Sequence, residues 1–158
     1  MTELEQLTIA EASSLIRQKK LSPVELVDVL LARTSRYDSQ LRSFITVTAD
    51  FARDAAKDAE REIARDHYRG ALHGIPFGLK DLIDTAGIPT TGNSRVYQTR
   101  VPDADATVTA KLKAAGAVWV TISVSVDELI VCRFDASGVA AKVTTSPAEM
   151  VTAVASVS

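Results

Sequence analysis

A single cysteine, Cys132, leaves this chain without an internal disulfide framework. Only two histidines are present, His67 and His73, and they lack the spacing of a zinc site. Aromatic residues make up 5%, no basic run interleaves with them, and the net charge is -2, which argues against a nucleic-acid interface. No stretch has the uninterrupted apolar length of a membrane span. The start, Met1-Thr-Glu-Leu-Glu-Gln6, is acidic and lacks the basic-then-apolar layout of a signal peptide. Gly74, Gly78 and Gly92 match neither a dinucleotide-binding nor a P-loop pattern. What is present is 158 residues, 46% hydrophobic and 24% charged. That composition can bury the core of one domain, and the expectation is a soluble, cytoplasmic protein.

The first third reads as helices. Thr8-Ile-Ala-Glu11 fits a capping box, with Ile9, Ala12 and Ile16 on one face and Lys19 and Lys20 placed for the helix C-terminus. Ser22-Pro23-Val24-Glu25 is a second helix start, with Leu26, Val27, Leu30 and Leu31 as its apolar stripe. Phe44 to Val47 is β-like, and Ala49 to about Arg65 reads as a solvated helix packing a narrow alanine stripe. Ile75 to Leu82 reads as a strand meeting a bend, and Ala86 to Arg100 as a loop. Asp105 is placed to cap a helix reaching Ala115, with Gly116 as its stop. Ala117 to Val126, with Trp119 as a core residue, is β-rich. Strand, loop, helix, strand is an α/β order. The expected organisation is a mainly helical part (1–70), a strand-loop-helix-strand core (71–131) and a divergent tail (132–158). In that tail Ser146-Pro147 could start one more helix.

The chemistry concentrates in Gly74-Ile-Pro-Phe-Gly-Leu-Lys-Asp81 and the loop Pro89-Thr-Thr-Gly-Asn-Ser94. Lys80 closes an apolar run, a poor place for a solvated surface charge. Burial lowers the pKa of a lysine, and a neutral amine can act as a base. From spacing alone, an ion pair of Lys80 with Asp81 or Asp84 stands beside that reading. Asp81 and Asp84, three apart around a bend, suit a cap or ion pair better than a glycosidase pair. His73 fits a hydrogen-bonded turn. Ser123 and Ser125 fit alternating strand serines, and Cys132 a packed thiol.

These segments resemble the lysine motif of the amidase signature family. Asp103-Ala-Asp-Ala-Thr107, Leu112-Lys-Ala-Ala-Gly-Ala-Val118 and, more loosely, Leu21-Ser-Pro-Val-Glu-Leu26 are also similar to that family. The resemblance implies an α/β fold: N-terminal helices, then part of the mixed sheet of an amidase-signature domain, incomplete here. It implies a Ser-cisSer-Lys triad with Lys80 as its lysine. No cofactor or metal is implied. The substrate would be a small-molecule amide, hydrolysed to a carboxylic acid and ammonia or an amine. The A subunit of glutamyl-tRNA(Gln) amidotransferase shares the motif, so a homodimer or an amidotransferase partner subunit both stay open.

The resemblance decays after about Val120. The family's two Gly/Ser-rich serine motifs have no counterpart, and Asp135-Ala-Ser-Gly138 lacks paired glycines, so Ser137 receives no role. The expectation is the N-terminal portion of an amidase, through truncation, a frame change or gene decay, inactive by itself. The alternative is a non-catalytic amidase-derived binding domain or remnant. Either way, unpaired strand edges should make the chain prone to aggregation.

Overall fold

The computed structural model describes residues 4–123, 133–134 and 140–141. The readings for Ser125, Cys132, Ser137 and the Ser146 helix start lie outside the described residues, as does the side chain of Ser123.

Helix α1 (Ile9–Arg17) starts as the capping box requires. The Thr8 hydroxyl accepts from the Glu11 N–H at 3.2 Å, and the Glu11 carboxylate accepts from the Thr8 N–H at 2.8 Å. Helix α2 (Pro23–Leu41) is capped by Ser22, whose hydroxyl accepts from the Val24 and Glu25 amides at 3.0 and 3.3 Å. The same hydroxyl donates to Glu60 at 2.5 Å, joining the start of α2 to helix α3 (Ala49–Ala64). Ala52, Ala56, Ala59 and Ile63 form the buried stripe of α3, and the small alanines let it lie close to its neighbours.

Strands β1 (Phe44–Val47), β2 (Pro76–Lys80) and β3 (Val118–Ser123) form a mixed sheet in the order β1-β3-β2. β3 runs antiparallel to β1 and parallel to β2. The parallel pair is connected through a long loop and helix α4 (Thr107–Ala114), as a parallel crossover requires. Alternation along β3 separates the two faces. Val118 and Val120 pack with Val27, Leu31, Ala52 and Ala56 beneath α2 and α3. Trp119 and Leu79 pack on the other side with Phe77, Ile83, Ile88 and Leu112. A further cluster, built on Ile16, Leu26, Ile63 and Ile75, fills the space between the helices and the entry to β2. Thr48 fixes α3 to the sheet, since both its N–H and its hydroxyl donate to the Val120 carbonyl at 3.0 Å. Two short segments, β4 (Arg133–Phe134) and β5 (Ala140–Ala141), pair antiparallel.

One local expectation is qualified and one is corrected. α1 ends at Arg17, and the Lys20 N–H reaches the Leu15 carbonyl and the Lys19 N–H the Ile16 carbonyl, both at 2.9 Å, so the φ +58° backbone of Lys19 closes α1 while its side chain serves a different helix end. Its ammonium donates to Asp66 at 2.7 Å and to the Ala64 carbonyl at the end of α3 at 3.3 Å. Asp105 does not cap α4. The cap position is Ala106, without a side-chain bond, because the Asp105 carboxylate is taken by the Ala86 N–H and the Lys113 ammonium, each at 2.8 Å. Gly116 does stop α4. At φ +78° its N–H reaches the Lys113 carbonyl at 2.9 Å, and the next N–H, of Ala117, reaches Leu112 at 3.1 Å. That is a Schellman closure.

Candidate active site at the end of β2

Lys80 is the last residue of β2 and is half-buried. It lies at the C-terminal end of the parallel β2–β3 pair, opposite Ser123 in the register. Open α/β sheets place their ligand sites at the carboxyl ends of strands. The Lys80 carbonyl accepts from the Ile83 N–H at 2.9 Å, so the chain turns sharply out of the strand.

Asp81 and Asp84 take separate partners in the loop after β2. Asp81 is buried, and its carboxylate accepts from the Thr91 N–H at 2.7 Å, the Thr91 hydroxyl at 2.5 Å and the Asn93 N–H at 3.0 Å. Asp84 is held by Arg100 in a two-pronged pair, 2.6 Å on each side. Arg100 also donates to the Thr90 carbonyl at 3.3 Å. The hydrogen bonds of this pair stabilise both charged forms, pulling Asp84 below the usual carboxylate range and pushing Arg100 up. The Asp84 carbonyl accepts from the Thr109 hydroxyl and the Ala106 N–H, both at 2.9 Å, and so ties the loop to α4. Buried Thr85 and Thr90 return their hydroxyls to nearby carbonyls, Ile83 at 3.5 Å and Ile88 at 3.3 Å. The long loop read from its glycines and prolines is therefore closely cross-linked, with a short 3-10 turn at Arg95–Tyr97.

The entry to β2 is built around His73. Its ring is 1% exposed. Nδ1 accepts from the Arg69 N–H at 3.1 Å, as the turn reading expects. Nε2 lies 3.3 Å from the Glu62 carboxylate without a hydrogen bond. Burial pushes the His73 pKa down. Glu62 opposes that shift and Arg69 adds to it. Glu62 itself is held below the usual range by the bond from Arg69. The residues that sequence reasoning passed over are Arg100, Thr91 and Asn93. Their partners lie ten or more positions away around an irregular loop, and no periodicity marks such contacts. Among the described residues no cluster of His, Cys, Asp and Glu could hold a metal ion, and no helix is long and apolar enough to cross a membrane.

A model described as Amidase matches residues 25–143. The chain belongs to the amidase family. A Mycobacterium tuberculosis protein that carries the name putative amidase AmiD is 42% identical over 115 residues, spanning 73% of this chain and 24% of that protein. In Anaeromyxobacter dehalogenans, the A subunit of glutamyl-tRNA(Gln) amidotransferase is 45% identical over 118 residues, spanning 75% of this chain and 24% of that protein. The native peptide amidase of Stenotrophomonas maltophilia shares the fold at a TM-score of 0.70 and 29% identity, covering 83% of this chain and 27% of that structure. This chain thus spans about a quarter of the length of the amidases it matches. It carries part of their α/β domain.

Proposed function

We propose that Lys80 is the proton-accepting group of a Ser-cisSer-Lys amidase site, acting in an enzyme that hydrolyses a carboxamide to an acid and ammonia or an amine. The observation that carries this reading is its position, half-buried at the C-terminal end of β2 and immediately before a cross-linked loop. A serine hydroxyl is a weak nucleophile at neutral pH and needs a base. In the proposed reaction the relay serine passes the nucleophile's proton to the Lys80 amine. The serine oxygen then bonds to the amide carbon. The C–N bond breaks as the proton returns to the leaving nitrogen, and water releases the acyl group as the acid.

Neither Gly/Ser-rich serine motif is found in this sequence. The purified 158-residue chain is therefore expected to show no saturable amide turnover. A graft tests the assignment: residues 25–123 replace the equivalent segment of a full-length relative. The graft should turn over amides, and Lys80→Ala should lower kcat by roughly 10²–10⁴-fold. An unaffected Lys80→Ala graft would remove Lys80 from the mechanism.

A second reading, an amidotransferase A subunit releasing ammonia from glutamine beside a partner subunit, is favoured by the 45% identity to the Anaeromyxobacter protein. Glutamine and a peptide amide, offered to the same graft, separate the two.

A further inference from the structure

Asp81 is 2% exposed, although it directly follows Lys80. A carboxylate buried to that degree needs its acceptor capacity filled. The donors come from one short turn. The N–H groups of Thr91 and Asn93 and the Thr91 hydroxyl reach the carboxylate, at 2.7, 3.0 and 2.5 Å. The intervening Gly92 N–H reaches the Asp81 carbonyl at 2.7 Å. Successive amides of the turn thus converge on a single residue. The turn is built from the two residue types that accept a left-handed backbone, Gly92 at φ +60° and Asn93 at φ +53°, which lets three successive N–H groups face Asp81. The Asp84–Arg100 pair clasps the loop further along and shares no partner with Asp81.

We propose that Asp81 is the positioning residue of the lysine site. It locks the Thr91–Gly92–Asn93 turn against the end of β2, so that the loop following Lys80 is ordered before substrate arrives. A loop ordered in advance removes an ordering cost from binding. The inference rests on the reading of Lys80 as the base. Its test does not involve turnover, so the two can fail separately.

The measurement is backbone amide hydrogen exchange, residue by residue, on the 158-residue chain. Asp81→Asn should speed exchange at Thr91, Gly92 and Asn93 by roughly ten- to a hundredfold, while α2, α3 and β3 keep their protection. Thr91→Val, which removes only the hydroxyl, covers the case in which Asp81→Asn does not fold. It should speed the same amides less, and Thr91→Ser should restore them. Asp84→Asn should leave them unchanged. Unaltered exchange at 91–93 in Asp81→Asn, or a uniform acceleration across every element, would overturn the assignment.

Discussion

Gly116→Ala is the substitution whose cost can be worked out most directly. Gly116 has φ +78°, a conformation that costs an L-residue roughly 1–2 kcal/mol. A Cβ there would also lie 2.4 Å from His73 Cδ2 and 3.1 Å from Cγ and Nε2. The ring cannot swing away freely. It is buried, accepts from the Arg69 N–H at 3.1 Å and packs beside Tyr68 with centroids 5.9 Å apart. Overpacking of this kind costs about 1–3 kcal/mol, so the total is about 2–5 kcal/mol. Gly87 is the control. Its φ is nearly the same, +76°, but a Cβ there would meet nothing within 4 Å, so Gly87→Ala should cost only about 1–2 kcal/mol. The assay is urea unfolding followed by the fluorescence of Trp119, the only tryptophan and a buried one. A double-mutant cycle isolates the clash, because in a His73→Ala background Gly116→Ala should cost no more than Gly87→Ala. Equal losses for the two glycines in the natural background would refute the reasoning.

Because burial holds the His73 pKa below 6.5, the unfolded chain takes up a proton at a pH where the folded chain does not. Stability should therefore fall as pH drops below about 6.5, and the urea midpoint at pH 5.5 should lie below that at pH 7.5. Equal midpoints would contradict this, and His73→Asn should abolish the difference. Asp84, Glu62 and Asp66 have lowered pKa values. The stability they contribute is present above about pH 4–5 and lost as pH falls through those lowered values, so further loss is expected well below about pH 4. Ile16→Ala, at a site with no exposure, should cost about 2–5 kcal/mol in the same assay. Leu41→Ala, at 69% exposure, should change stability by less than about 0.5 kcal/mol. Among the described residues the sheet leaves β1 and β2 as its edges, and Leu41, Ile45, Val47 and Phe51 are exposed around β1. Light scattering should therefore show concentration-dependent association of the isolated chain. A monomer with a sharp cooperative melt would argue instead for an autonomous domain.

The sequence by itself determined the local signals. Thr8–Glu11 and Ser22–Pro23 mark helix starts because capping chemistry lies within three residues of the amides it satisfies. Gly116 marks a stop because its left-handed backbone is a property of one residue. Ala52, Ala56, Ala59 and Ile63 declare a buried face by helical spacing. The position of Lys80 at the end of a strand was legible from the apolar run before it, and the family from the motif around it. Tertiary structure decided the long-range pairings. Asp105 had the residue type for a cap, yet folding gave it to Ala86 and Lys113. Lys19 closes its own helix with its backbone, but its ammonium reached across to the end of α3. Asp81 and Asp84 stand three apart in sequence, but one gathers the Thr91–Asn93 turn and the other binds Arg100. Such partners are chosen by how an irregular loop folds back on itself. A carboxylate's acceptor capacity is encoded locally, while the donor that fills it is fixed only when the chain packs.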